Sequence, residues 1–162
     1  MPGVTTQLVS DIRGRVRGKV AVVGIGNPLR GDDGLGPKLI ELLREKGTGA
    51  TLFDCGTTPE NYIFPILSSL CETVILVDAA DFQGAPGQIK ILELGAVSMA
   101  SFSTHNPSPR LFTDLLKTGN ENLNIFVISI QPKTVAFGEN LSDEAKAGIA
   151  ALADAFHEAL KS

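Results

Sequence analysis

Three short aliphatic runs constrain the fold more than any other feature of the sequence. They are residues 19–24 (KVAVVG), 73–78 (TVILVD) and 124–130 (NIFVISI), and polar residues are nearly confined to their ends. Continuous apolar runs of this length are typical of parallel strands that are buried on both faces of a sheet. The sequence therefore predicts a mostly parallel sheet with helices on both sides.

Amphipathic segments that alternate with the strands are predicted to form those helices. Residues 35–46 carry an apolar stripe and end before Gly47, and Thr58-Pro59-Glu60 supplies the cap, proline and acid of a helix start. The predicted helices are 35–46, 58–70, 106–117 and a last helix from Ser142 with the apolar stripe Ile149, Leu152, Ala153, Phe156 and Leu160. Two further strands are predicted at 50–54 and 88–94. This alternation indicates an α/β protein.

The connections predict how the strands are arranged. Strands one and three should be neighbours, with strand two outside strand one, which leaves a crevice at the carboxyl ends of strands one and three. Only nine residues, 79–87, separate the third strand from the fourth, and a parallel crossover needs about a dozen or more. The fourth strand is therefore expected to be antiparallel. The short link by itself would allow it to pair with strand three.

Length and composition indicate one globular domain. The chain has 162 residues, 43% hydrophobic and 20% charged, so we expect a single domain over 1–162, with 1–18 as a flexible or flanking segment. A net charge of -4 argues against a nucleic-acid partner, and no apolar run reaches the roughly 20 residues that span a membrane. Cys55 and Cys71 form neither a CxxC motif nor a disulfide framework, which favours reduced thiols and a cytoplasmic location.

The turn after the first strand holds the most informative local motif. Residues 24–36 read GIGNPLRGDDGLG, but Leu29 stands where a dinucleotide fingerprint needs glycine. Asp32 and Asp33 stand where a phosphate loop has lysine and a hydroxyl. Two carboxylates repel phosphate and attract a cation, so no nucleotide is expected. One of the two acids could serve only to cap the following helix.

Two more residues suggest a metal site. Asp78 ends the third strand and either opens the next turn or faces Asp33 across the crevice. His105 lies in a loop just before a predicted helix, whereas His157 flanks the last helix's apolar stripe and is expected to be structural or solvated. Asp81 is expected to be a turn residue. Two carboxylates and one imidazole can hold a divalent cation with open positions.

A set of short motifs resembles the hydrogenase maturation protease family. The motifs, in chain order, are Gly26-Asn27, Gly31-Asp32-Asp33-Gly34, Gly36-Pro37, Thr58-Pro59-Glu60, Val77-Asp78-Ala79, Pro86-Gly87, Thr104-His105-Asn106 and Ile130-Gln131-Pro132. The resemblance covers roughly residues 19–160. It implies a three-layer α/β/α fold with a mixed five-stranded sheet of order 2-1-3-5-4 and an antiparallel strand four.

The resemblance also implies an activity. The family consists of endopeptidases that remove the C-terminal extension of the nickel-loaded precursor of a nickel–iron hydrogenase large subunit. Asp33, Asp78 and His105 match its metal-contacting acid, acid and histidine, and the nickel arrives with the substrate. The expected partner is this precursor, with no nucleic acid and no membrane. The main alternative is a non-catalytic nickel-binding chaperone that inspects the precursor; a nucleotide-binding module and a self-sufficient zinc hydrolase are the others.

One position departs from the family pattern. The family often has Asp-Gly-Gly-Thr after strand two, where this chain has Asp54-Cys55-Gly56-Thr57. Cys55 adds a soft ligand near the crevice, although a buried, inert thiol is the simpler role. Asp54 is a further candidate, either as a general acid/base or as an organiser of the backbone.

Overall fold

A computed structural model describes residues 2–93 and 109–161 and shows a five-stranded sheet with helices on both faces. The strands are β1 (Val20–Ile25), β2 (Thr51–Gly56), β3 (Thr73–Ala79), β4 (Ile89–Glu93) and β5 (Asn124–Ile130). The helices are α1 (Pro2–Arg15), α2 (Leu35–Lys46), α3 (Ile63–Ser68), α4 (Pro109–Gly119) and α5 (Asp143–Ala159). Short 3-10 turns precede α2 and α3, at Gly31–Gly34 and Pro59–Tyr62.

The sheet has the order β2-β1-β3-β5-β4, and only β4 is antiparallel to its neighbour among these strands. This confirms the predicted fold class and strand order. The pairing of β4 with β3 that the short link would have allowed does not occur, because β5 lies between them. The link has to cross two strand spacings, roughly 10 Å, which nine residues do easily.

Each face of the sheet supports its own hydrophobic core. Alternate strand residues point to opposite faces, so β3 sends Ile75 and Val77 to one side and Val74 and Leu76 to the other. The first side packs against α1, α2 and α5, and the second against α3 and α4. Because helices cover both faces, the central strands are apolar throughout, and these continuous apolar runs allowed the strands to be predicted from the sequence.

The helix predicted at 58–70 is shorter than expected. Thr58 makes no side-chain capping bond, and the segment starts as a 3-10 turn before α3 begins at Ile63. Pro65 has no N–H to donate to the carbonyl four residues earlier, so one continuous helix cannot form across the whole segment. The start of the helix predicted at 106–117 lies outside the described residues.

The N-terminal segment, to which no helix was assigned from the sequence, contains α1. This helix packs against α5 and buries Leu8, Val9 and Ile12. These three buried residues have helical spacing, but the helix also contains glycines and threonines, which favour helices weakly. None of the helices in the described part of the chain is long and apolar enough to cross a membrane.

Candidate active site

Close packing of α2 on the sheet positions the site. A Cβ added to Gly36 would lie 2.4 Å from the Ile25 carbonyl oxygen and 2.8 Å from that of Val77. Glycine therefore lets the start of α2 rest directly on the carboxyl ends of β1 and β3. The 3-10 turn that precedes α2 is consequently held above the end of β3, where Asp78 lies.

Asp33 and Asp78 are both buried at this point, with 6% and 3% of their surfaces exposed. The backbone N–H of Asn27 donates to Oδ2 of Asp33 at 2.9 Å, which fixes that carboxylate within the turn. The backbone N–H of Ala79 donates to Oδ1 of Asp78 at 2.8 Å. Each carboxylate thus has a backbone anchor.

The charge of Asp33 acts electrostatically on Asp78. Burial raises the pKa of Asp78 well above its ordinary value, the negative charge of Asp33 raises it further, and the Ala79 N–H opposes the rise. The charged group that acts on Asp78 is therefore a second acid. A bound cation would relieve this repulsion, which is the electrostatic condition that favours a metal site over a salt bridge.

Asp32 has a different role from Asp33. Its carboxylate accepts the Lys133 N–H at 2.8 Å, the Ser142 N–H at 2.7 Å and the Ser142 hydroxyl at 2.7 Å. Ser142 in turn caps α5 by accepting the Ala145 N–H at 3.1 Å. The possibility that one of the two acids caps α2 is wrong, because no side-chain cap bond forms at that helix. Asp32 instead joins its turn to the start of α5.

Backbone hydrogen bonds extend this connection to a loop beside the site. Asp32 N–H donates to the Thr134 carbonyl at 2.8 Å, Gly31 N–H to that of Glu139 at 3.1 Å, and Gly138 N–H to that of Leu29 at 2.7 Å. Three large apolar side chains stand exposed on the two joined loops. This apolar rim consists of Leu29 (61% exposed), Val135 (40%) and Phe137 (76%).

Gln131 organises the loop that follows β3, a role that sequence reasoning missed. Its Oε1 accepts the N–H groups of Phe82 and Gly84, both at 3.0 Å, and its Nε2 donates to Oδ1 of Asp81 at 3.2 Å. The side chain therefore shapes the loop that follows β3. The Ile130-Gln131-Pro132 motif was the available signal, but a motif does not reveal which backbone groups a side chain meets.

The remaining candidates lie at the edges of this arrangement. Asp54 is exposed and its Oδ1 accepts the Gly56 N–H at 3.2 Å, as an organiser of the backbone would. Cys55 is buried as expected, and burial, with the nearby charge of Asp54, raises the pKa of its thiol to about 12.

Two other residues were expected to be structural. His157 lies with Nδ1 2.7 Å from the Gly47 carbonyl oxygen, and Asp81 accepts the Gln83 N–H in a turn. These last two have the structural roles expected of them.

The predicted histidine ligand, His105, lies outside the described residues. Within residues 2–93 and 109–161, no group of three His, Cys, Asp or Glu side chains is placed to hold a metal ion. The structure thus brings Asp33 and Asp78 together, and their pairing with His105 stays a prediction.

Comparison with known proteins identifies relatives with the same architecture. A sequence model of the hydrogenase maturation protease family (HycI) matches residues 37–159. The hydrogenase 3 maturation protease of Escherichia coli K12 is 34% identical over 116 residues, which cover 70% of this chain and 72% of that protein. The coenzyme F420 hydrogenase subunit delta of Methanothermobacter thermautotrophicus is 27% identical over 124 residues, covering 73% and 77% of the two chains.

Solved structures agree with the sequence relatives. The [NiFe] hydrogenase maturation protease HycI of Thermococcus kodakarensis superposes with a TM-score of 0.84 at 29% identity, covering 94% of this chain and 99% of that one. The solution structure of the endopeptidase HycI of Escherichia coli gives 0.79 at 27% identity, with 87% and 90% coverage. The match of fold, chain length and family sequence leads to one conclusion: the chain belongs to the hydrogenase maturation protease family, a family of peptidases.

Proposed function

We propose that this protein is an endopeptidase that removes the C-terminal extension of a nickel-loaded nickel–iron hydrogenase large-subunit precursor. Asp33, Asp78 and His105 bind the nickel that the precursor carries, through positions that its own ligands leave open. The metal is part of the substrate and marks the precursor as ready to be cut. A water activated at the site then attacks the scissile carbonyl, the peptide C–N bond breaks, and the proton lost by the water passes to the leaving amine.

The pair of buried acids, Asp33 and Asp78, carries this proposal. Burial and the charge of Asp33 disfavour the ionised form of Asp78 in the free protein, and a divalent cation bound between the two groups would favour both as anions. Carboxylate oxygens and an imidazole are ligands that nickel accepts. Ionisation of Asp78 beside Asp33 would thus become favourable only when the metal-bearing substrate binds.

The apolar rim supports a protein as the substrate. Leu29 is four residues from Asp33, and both bond to Asn27: Asn27 Oδ1 accepts the Leu29 N–H at 2.9 Å while Asn27 N–H donates to Asp33. The rim is thus fixed relative to the acid pair. We propose that it contacts apolar polypeptide of the precursor beside the cut. Leu29→Ser and Phe137→Ser should then raise KM for the precursor with little change in kcat.

The test is cleavage of purified precursor, loaded with nickel or nickel-free, followed by the shift to a shorter product on a gel. Asp33→Asn, Asp78→Asn and His105→Ala should each slow cleavage at least about 100-fold. Asp114→Asn, which changes an exposed acid on α4, is the matched control and should cut at the wild-type rate. Full activity of all three site variants would refute the proposal.

The same assay separates the protease from a nickel-binding chaperone. Nickel-dependent binding of the precursor without any shorter product would favour the chaperone. Mass spectrometry of the released C-terminal peptide identifies the bond that is cut. Comparison with the nickel-free precursor excludes contaminating proteases, because their products would appear with both forms of the precursor.

A further inference from the structure

A buried hydroxyl without a partner lies beside the candidate site. Ser129 is fully buried in β5, and its Oγ makes no hydrogen bond within the part of the chain that the structure describes. Leaving a buried hydroxyl unpaired costs roughly 1–3 kcal/mol, and alanine would fit the same space without that cost. An unpaired polar group in a core strand therefore calls for an explanation outside folding.

The position of Ser129 in the sheet places it beside Asp78. Ser129 is the register partner of Asp78 in the parallel β3–β5 pair. The residues two positions earlier on each strand, Leu76 and Val127, belong to the same core, so Asp78 and Ser129 share that face of the sheet. The hydroxyl and the carboxyl are thus lateral neighbours at the carboxyl end of the sheet.

The neighbour of Ser129 on the other strand, β4, does not provide a hydrogen-bond partner for the hydroxyl. Lys90 is the register partner of Ser129 on β4. Its ammonium lies over the ring of Phe82, 5.5 Å from the centroid, and makes a cation–π contact there. Of the two strand neighbours of Ser129, Asp78 is therefore the one whose carboxylate can accept a hydrogen bond from the hydroxyl.

We propose that Ser129 is a positioning residue for Asp78, whose carboxylate accepts a hydrogen bond from the Ser129 hydroxyl when it binds the precursor's metal. In the free protein Asp78 is held through Oδ1 by the Ala79 N–H. A second donor from the adjacent strand would fix the plane of the carboxylate and so decide which oxygen faces the cation. This inference rests on the proposed function of the acid pair.

Kinetics and stability together test this role. Ser129→Ala should lower kcat for nickel-loaded precursor about tenfold, the factor expected from one hydrogen bond to a charged group, while KM stays within twofold. Its Tm should equal or exceed that of the wild type, because an unpaired hydroxyl is removed. Ser129→Thr keeps a hydroxyl and should recover most of the rate.

A second serine supplies the opposite pattern. The Ser69 hydroxyl already donates to the Ile66 carbonyl at 2.6 Å, away from the acid pair. Ser69→Ala should therefore lower Tm and leave kcat unchanged. A wild-type kcat in Ser129→Ala, or a loss of rate that merely follows a loss of Tm, would overturn the proposal.

A crystallographic experiment keeps the inference separate from the proposed function. Crystals of the wild-type protein, grown without metal and soaked in nickel chloride, give the distance from Ser129 Oγ to the two Asp78 oxygens. A distance of about 3.2 Å or less in the soaked crystals supports the hydrogen bond even if no precursor is cut. Distances beyond about 4 Å in both crystals would exclude it, even if the precursor is cut.

Discussion

Asp32 and Asp33 are adjacent in the chain, but their carboxylates serve different parts of the molecule. Asp32 accepts three hydrogen bonds from Lys133 and Ser142 and ties its turn to α5. Asp33 accepts one from Asn27, and its charge acts on Asp78 in β3. Asp32 therefore stabilises the fold, whereas Asp33 belongs to the candidate site.

This division predicts opposite effects of the same substitution. Asp32→Asn should lower the free energy of unfolding by about 2–4 kcal/mol, because the amide NH₂ cannot accept the bonds that one carboxylate oxygen now receives. In a chain of this size that lowers Tm by about 5–12 °C. Asp33→Asn should change Tm by less than about 2 °C but stop cleavage. Differential scanning calorimetry beside the cleavage assay measures both, and equal loss of Tm in the two variants would contradict the division.

The buried carboxyl of Asp78 predicts a dependence of stability on pH. In the unfolded chain this group ionises near its ordinary pKa of 3.8, whereas the folded protein keeps it protonated to higher pH. Raising the pH above about 4 therefore favours the unfolded state, until the pH passes the folded-state pKa. Asp78→Asn cannot ionise, so it should be more stable than the wild type at pH 8 and nearly equal at pH 4. Urea unfolding of the metal-free proteins at both pH values measures the difference in the free energy of unfolding between Asp78→Asn and the wild type. A difference that becomes smaller as the pH rises would contradict the prediction.

The side-chain bonds of Gln131 predict a local effect on the loop after β3. Gln131→Ala removes the acceptor for two backbone N–H groups and should cost about 1–3 kcal/mol. Amide hydrogen exchange at Phe82 and Gly84 should accelerate more than exchange in the central strands. Gln88→Ala, at an exposed glutamine whose side-chain Oε1 accepts the Ala85 N–H at 3.0 Å, is the control. Unchanged protection of Phe82 and Gly84 in Gln131→Ala would show that other groups hold the loop.

Two glycines in helices predict opposite results of substitution by alanine. Gly36→Ala places a methyl group against the carbonyl oxygens of Ile25 and Val77 and should destabilise the fold by more than about 2 kcal/mol. Gly14→Ala in α1 meets no atom within 4 Å and should stabilise it by about 0.4–1 kcal/mol. Thermal unfolding compares them directly. A well-folded Gly36→Ala protein of wild-type stability would disprove the close approach of α2 to the sheet.

The raised pKa of Cys55 predicts an unreactive thiol. With a pKa of about 12, only roughly one molecule in ten thousand carries the thiolate at pH 8, and the thiolate is the form that reacts or binds metal. In a Cys71→Ala background, the native protein should react with a disulfide reagent orders of magnitude more slowly than the urea-unfolded chain. Rapid labelling of the native protein would instead restore Cys55 as a candidate soft ligand.

Much of the fold could be predicted from the sequence because its signals are local. The aliphatic run of β5 and the stripe and glycine stop of α2 depend on neighbouring residues, and both elements have the predicted bounds. The 58–70 segment shows the limit of such signals. A cap, a proline and an acid indicate a helix start, but Pro65 leaves a shorter helix behind a 3-10 turn.

The sequence by itself determined the apolar central strands, the alternation with helices, the acids in the turn after β1 and the acid near the end of β3. These features depend on hydrophobic periodicity and turn chemistry, which are local properties of consecutive residues. Only the tertiary structure decided that Asp32 stabilises the fold while the charge of Asp33 acts on Asp78, that Gln131 shapes the loop after β3 and that Ser129 lies beside Asp78. These roles depend on which groups from distant segments meet, and that follows from strand order and register, not from spacing along the chain.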